Sequence, residues 1–430
     1  MMKKYFPVFV FFISFSFLAN AQFWSEIHHT GVQEILQNYN NPGPEYGPNL
    51  LWGWNGPVDS TVIDNDLDRI LKMGFRSVTI EAGYHMRHPY LSEGWFKLIH
   101  YAVQEAGKRD MKVWLIDEGK YPSGFAGGKF SSERPDLRMQ GLLRGGRIKL
   151  SPGESVHRNL HASVVSAVAV NLKSGLAHEV DISGHRLDYT APDHPVTLLL
   201  ALHRFKTSVT RAANNPTGGK DTTNSLCDYL NPVATRQFID FTHTKYFEEM
   251  AGEFGKTLLG FRGDEPDYGF IPWTPGITEI FREKKGYDIS PWLASFFVKK
   301  PTSQMMKAKA DYRDVWSQLF ADNFFGVLGD WCAEHGVAYM VHLNHEDKLM
   351  QLVRSEGSFF RDMRDVQIPG VDAIWNQIWP GTVADFPKLA SSAAHLYGKP
   401  LAMSESFAAY RTKPAIKTGK WVIDHQLARG

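Results

Sequence analysis

Thr257-Leu-Leu-Gly-Phe-Arg-Gly-Asp-Glu-Pro-Asp-Tyr268 is the stretch whose reading decides the fold. A short apolar run broken by glycine climbs to two adjacent acids, Asp264 and Glu265, and stops at Pro266. It reads as a buried strand that delivers its last residues to the rim of a sheet. Strands buried on both faces belong to parallel α/β sheets, which gather their chemistry at the carboxyl ends of the strands. Proline ends the ladder because it has no N–H to donate. A strand capped by solvated acids would give the same local pattern. What favours a site is that the arrangement recurs along the chain.

Working outward, strand and helix alternate from about residue 49. Leu50–Asn55 is a first strand, and Ile63, Leu67, Ile70 and Leu71 mark one face of a helix closed by Gly74. Arg76–Glu81 and Lys112–Glu118 are the next strands, separated by a helix with Trp95, Ile99, Ala102, Val103 and Ala106 inward. Residues 145–215 then show alternating β-rich runs, Ser163–Leu172 and Val196–Leu202, with turns between them and no helical period. They read as an all-β insertion. Asn231-Pro232, an N-cap followed by a favoured first helical residue, restarts the pattern with a helix to about Gly252. After the opening strand come a long helix ending at Cys332–His335, strands at Val337–Asn344, Val371–Trp375 and Leu401–Ser406, and a last helix at Trp421–Arg429. The expected fold is therefore α/β, a (β/α)8 TIM-type barrel with an all-β insertion. Residues 22–144 form its first part, 145–215 the insertion and 216–430 the second part. Seven strands are counted, so an eighth is expected beyond Gly430, on a longer chain.

Residues 1–21 read as a secretory signal peptide: Lys3 and Lys4 precede the apolar Phe6–Leu18, and Ala19-Asn20-Ala21 places small residues at the cleavage positions. A secreted or periplasmic location follows. The apolar run is too short for a membrane span, and no later segment qualifies. The 430 residues, 43% hydrophobic, support a large core, and a formal charge of +1 offers no field for nucleic acid. Twelve Trp, sixteen Tyr and 17 His suit a groove that stacks on sugars, and equally an ordinary large α/β core. Cys227 and Cys332 are the two cysteines, and core packing is their expected role.

Several strands end in polar groups, and in a barrel all of them meet on one rim. The substrate-binding candidates are Trp54, Asn55, Asp117, Glu118, Asp264, His342, Asn344, His345, Trp375 and Asn376. Glu265 and Glu405 are the catalytic candidates, because glycoside hydrolysis needs one carboxylic acid to protonate the leaving oxygen and a carboxylate to activate water or attack the anomeric carbon. Their strands, four and seven, lie across the ring, which suits the separation of roughly 6.5–9.5 Å used for inversion. Asp264, one position before Glu265, is expected to aim the other way and to serve as a neighbour or loop anchor. His342 and His345 stand three apart across a strand end and so diverge, and there is no His-Glu-x-x-His; zinc chemistry is disfavoured, and oxygen ligation of calcium by rim acids is the more plausible metal reading. Phosphate-loop, dinucleotide and Gly-x-Ser-x-Gly motifs are absent.

Pro48–Asn55, Trp114–Gly128, Gly260–Pro266 with Pro272-Trp273, Ile368–Asp372 and Ala394–Lys399 leading to Ser404-Glu405-Ser406 together resemble the barrel of the glycoside hydrolase 106 group, the α-L-rhamnosidase-like enzymes. The resemblance spans about residues 45–430. It implies a bacterial exo-acting, inverting glycosidase on plant or microbial polysaccharide side chains, with possible calcium dependence but no ligand assignable to a residue. Carried over by motif, the family's acid falls on Glu265 and its base on Glu405. The competing expectation is a non-catalytic carbohydrate-binding protein or an inactivated barrel fragment.

Overall fold

The computed structural model describes residues 31–40, 47–207, 222–410 and 414–430. The expected signal peptide and the end of the expected insertion lie outside the described residues.

Seven parallel strands form the main sheet: β1 (Asn49–Trp54), β2 (Ser77–Ala82), β3 (Lys112–Ile116), β10 (Leu258–Asp264), β12 (Ala338–His342), β13 (Ile368–Ala373) and β14 (Met403–Ser406), neighbouring in that order. Between β3 and β10 the chain builds β4 (Gln140–Leu150), β5 (Ser155–Asn159), β6 (Val164–Asn171), β7 (Ala177–Val180), β8 (Arg186–Thr190) and β9 (Val196–Phe205). β11 (Ile271–Trp273), which follows β10, joins β4, β9, β6 and β7 in a five-stranded antiparallel sheet, while β5 pairs with β8. The β-rich layer is thus bonded directly to the loop that leaves β10.

The main sheet is curled, and its two faces have different cores. Trp114, Leu259, Met340 and Ile368, with Ala338 and Met403 packed against them, form one cluster although they come from five successive strands. Side chains from five strands meet only on a concave face. The convex face carries Val113, Leu115, Leu258, Phe261, Tyr339 and Val341 into the large core beneath the helices. A register shift between Leu258 and Gly260 lets Leu259 and Arg262 both point inward.

The helices follow from their apolar spacing. Ser60–Lys72 buries Ile63, Leu67 and Ile70, and Glu93–Lys108 buries Trp95, Ile99, Ala102, Val103 and Ala106. Asp59 and Ser92 cap them by accepting from the Val62 and Trp95 amides. The Asn231 side chain caps Pro232–Phe241 as the sequence predicts, but this helix does not run unbroken to Gly252. Thr242 donates its hydroxyl back to the Phe238 carbonyl at 2.7 Å, leaves helical geometry, and a second helix, His243–Met250, begins. The sixth strand of the main sheet lies at Ile368–Ala373 rather than Val371–Trp375, because Ile374 to Asn376 already belong to the turn. Cys227 and Cys332 are separate, fully buried thiols. No described helix is long and apolar enough to cross a membrane.

Candidate active site

At the carboxyl end of the sheet the backbone repeatedly takes left-handed geometry at residues with side chains. Glu265 (φ 42°) follows β10, His345 (φ 68°) follows β12, Trp375 (φ 56°) and Asn376 (φ 58°) follow β13, and Phe407 (φ 74°) follows β14. Such geometry costs energy and gathers where a site needs it.

Glu265 shows what it achieves. Alternation along a strand would send Asp264 and Glu265 to opposite sides. Instead the turn at Glu265 breaks the alternation, and each acid places a carboxylate oxygen within 4.8 Å of a His342 ring nitrogen. Asp264 does not aim away, contrary to the expectation from strand period. Its backbone amide donates to Ser123 Oγ at 2.8 Å, and that hydroxyl donates to Asp117 at 2.6 Å.

Two carboxyl environments result, with opposite electrostatics. Glu265 is pushed up to about 8, first by burial and then by Asp372, which shares a hydrogen bond with it. Asp372 is likewise pushed to about 8 by burial and by the charges of Glu405 and Glu346. Two adjacent carboxyls cannot both ionise cheaply, so the pair retains a proton at neutral pH. Behind it, Glu346 accepts from the amides of Leu343 (2.9 Å) and Asp372 (3.2 Å), tying the ends of β12 and β13 together.

Glu405 is the opposite case. Burial raises its pKa, but the charge of Arg262 and a hydrogen bond from Arg262 Nη2 outweigh that and hold it below its ordinary value. Arg262 is itself buried, with 5% of its side chain exposed. His342 Nδ1 lies 3.5 Å from Arg262 Nη2, and Nε2 lies 3.4 Å from Asp264 and 3.7 Å from Glu405. A guanidinium only donates, so Nδ1 faces it as the acceptor and Nε2 carries the proton, with no hydrogen-bond partner among the described residues; burial pushes the neighbouring Asp264 carboxyl well above its usual range. Burial and Arg262 push His342 to about 3, which keeps the ring neutral. A second cation, Lys120, lies 2.9 Å from Glu81 at the end of β2, and Glu81 acts in turn on the charges of Arg262 and Asp264.

The remaining sequence candidates separate by position. Trp375 stands 65% exposed on the rim, its amide donating to the Ala408 carbonyl at 3.1 Å; Asn376 is beside it. Asn344 donates to Asp267 at 3.4 Å and joins the loops after β12 and β10. His345 lines a neighbouring cavity, apart from His342. Asn55 is exposed and accepts from the Tyr84 amide at 3.1 Å. Trp54 is buried edge-on between Trp52 and Trp95 and is not on the open rim. Asp117 and Glu118 are also fully buried. Asp117 accepts from Ser123 and from Tyr339 at 3.3 Å, and Glu118 accepts from the amides of Gly119, Ala126 and Gly127. These two organise the loops under the site rather than meet solvent.

Arg262, Asp372, Glu81 and Lys120 were not among the candidates. Arg262 carried a signal: a lone arginine inside an apolar strand demands a buried anion. Asp372 closes the Ile368–Asp372 motif, but nothing in its neighbours announces a partner on another strand.

Among the described residues, two sets place three ligand atoms within 4.8 Å: Asp264, His342 and Glu405, and Glu265, His342 and Asp372. Calcium takes roughly six to eight oxygen ligands. The first set offers a ring nitrogen and already holds a guanidinium, and in the second the two carboxyls share a hydrogen bond. Neither fits calcium.

A curled parallel sheet that brings paired carboxyls of opposed acidity to its carboxyl rim defines a glycoside hydrolase-like protein. The chain belongs to the glycoside hydrolase 106 family, described as alpha-L-rhamnosidase, whose model matches residues 155–430, more than half of its length. It is 21% identical over 457 residues to a Formosa agariphila protein described as "Putative beta-glucuronidase", covering 93% of this chain and 37% of the relative. Its fold is similar to that of a rhamnosidase from Novosphingobium sp. PP1Y, with a TM-score of 0.66 and 15% identity, covering 92% of this chain and 55% of that one. The chain thus spans little more than half, or less, of the length of these proteins.

Proposed function

We propose that the chain forms the catalytic core of an exported, exo-acting, inverting glycosidase of the α-L-rhamnosidase type, its curled sheet being seven strands of a (β/α)8 barrel with an all-β insertion at residues 145–215. The observation that carries this reading is the opposed electrostatics of Glu265 and Glu405. A general acid must hold its proton at working pH, and Glu265, buried beside Asp372, does so. A general base must be ionised, and Arg262 keeps Glu405 so.

In this reading Glu265 protonates the glycosidic oxygen as the bond to the anomeric carbon breaks. Glu405 takes the proton from a water that attacks the opposite face, so the product emerges with inverted configuration. Asp372 positions Glu265 and keeps its proton in place. Neutral His342 adds no positive charge beside Asp264 and Glu405, and Trp375 offers an exposed indole on which a sugar ring can stack.

The test is hydrolysis of an aryl α-L-rhamnoside by the full-length protein. Glu265→Gln and Glu405→Gln are each expected to lower kcat by about 10²–10⁴, with KM little changed. Proton NMR of the first-formed sugar reports inversion. Substantial activity in both variants would overturn the assignment, and glycan binding without release of sugar by the wild type would point to a binding protein.

A further inference from the structure

Beside the candidate site lies a cavity of about 340 Å3, within the roughly 300–1,000 Å3 of small-molecule sites. Its walls continue the two strands that carry the site: Tyr268 and Phe270 come just after Glu265, and His345 comes just after His342. The two loops are joined by the Asn344–Asp267 hydrogen bond. The half-buried Phe270 and Phe296 give the cavity its aromatic lining, and behind them Tyr268 meets Phe270 and Trp316 edge-on at 5.7 Å and 6.0 Å.

The charge on this cavity is the opposite of the charge at the site. The centre is crowded with carboxyls, and its two cations are already engaged, Arg262 by Glu405 and Lys120 by Glu81. The cavity instead presents Arg313 and Arg354, both exposed and, among the described residues, neither in an ion pair. Nearby arginines differ: Arg361 and Arg364 are bound to Asp314, Asp322 and Asp365. Lys206, over the Phe270 ring at 5.1 Å, adds a third positive group. Guanidinium forks match the planar oxygens of a carboxylate or the tetrahedral oxygens of a sulfate, while aromatic walls suit the apolar face of a pyranose.

We propose that this cavity is a subsite for an anionic sugar residue, a uronate or a sulfated sugar, next to the neutral sugar that the site releases. The proposal rests on the carbohydrate-cleaving reading above and adds the charge of the neighbouring residue. An acid-rich centre repels such a residue, and two unpaired arginines beside it accept it.

Titration calorimetry with methyl β-glucuronide, methyl β-glucoside and methyl β-glucoside 6-sulfate tests it, in full-length protein carrying Glu265→Gln to prevent turnover. At least one anionic glycoside is expected to bind about tenfold more tightly than the neutral one, the worth of one partly exposed charge-assisted contact. Salt should weaken that preference. The Arg313→Ala/Arg354→Ala protein should lose the preference, and Arg313→Lys/Arg354→Lys should retain part of it, which separates charge from folding. The tighter anion identifies carboxylate or sulfate as the group read. Equal affinity for the neutral and anionic glycosides, or a preference that survives the alanine pair, overturns the proposal. Hydrolysis is measured separately: no anion preference while both arginines are present, with cleavage still dependent on Glu265 and Glu405, removes only the subsite. Intact preference with cleavage independent of those residues removes only the catalytic reading.

Discussion

Asp372 and Arg262 divide the work of setting two proton affinities. Glu265 is raised first by burial and next by the charge and hydrogen bond of Asp372. Asp372→Asn removes the charge but keeps a polar group, so the Glu265 pKa should fall from about 8 toward the ordinary range. An acid that must be protonated loses activity as pH rises through its pKa. The alkaline limb of the kcat profile is therefore expected near pH 8 in the wild type and about one unit lower in Asp372→Asn; an unmoved limb would exclude Asp372 as the positioning group. Glu405 runs the other way. Its folded pKa lies below the ordinary carboxylate value because Arg262 stabilises the anion, so the acid limb should lie below that value. Arg262→Gln leaves Glu405 buried without its cation. The acid limb should then move upward, with a stability loss of about 3–5 kcal/mol, read from denaturant unfolding. Arg262→Lys, which keeps the charge, is expected to restore part of both.

The strands deliver these residues, and at their level the sequence was legible to different depths. Burial on both faces leaves a continuous hydrophobic signature, which located the five inner parallel strands, while the edge strands β1 and β14 are only partly buried and were read from the alternation with helices. The pairing of Glu265 with Asp372 and of Arg262 with Glu405 was not legible. It depends on the curl of the sheet and on the register shift at Leu258–Gly260, which no local pattern encodes. Nor did strand period foretell that Asp264 and Glu265 share a side, since a left-handed turn at a non-glycine residue overrides alternation. Trp54, Asp117 and Glu118 matched the pattern of rim residues as well as Trp375 did, and only their burial separates them. Gly263 shows how tightly β10 is fitted: a Cβ there would lie 2.2 Å from the Tyr339 hydroxyl, which holds Asp117. Gly263→Ala should push Tyr339 off Asp117 and cost about 1–3 kcal/mol as an overpacked site. Activity should fall too, because the Asp117–Ser123 contact anchors the Asp264 amide. Unchanged thermal unfolding in that variant would show that the strands can move apart.

Across the whole molecule, buried acids outnumber what the site uses, and they set how stability responds to pH. Asp117 and Asp228 are each pushed by burial to about 7, and Glu118 to about 8. Glu356 is pushed to about 10 by burial, against a hydrogen bond from Ser355 Oγ at 2.5 Å and with the charges of Asp267, Glu346 and Asp362 adding to it. Each is protonated in the folded chain over a range where the unfolded chain has released its proton. The folded state binds more protons there, so stability must fall as pH rises, beginning near 4.5 and continuing, for Glu356, to about 10. Calorimetric scans should show Tm declining steadily from pH 5 to pH 9. Glu356→Gln keeps an acceptor for Ser355 and cannot ionise, so it should flatten the alkaline part of that decline, with a gain on the order of 1–3 kcal/mol at pH 9, and match the wild type at pH 5. A Tm that holds level or rises between pH 5 and pH 9 in the wild type would mean that these carboxyls ionise freely in the folded chain, and the protonated state assigned to Glu265 would lose its support with them.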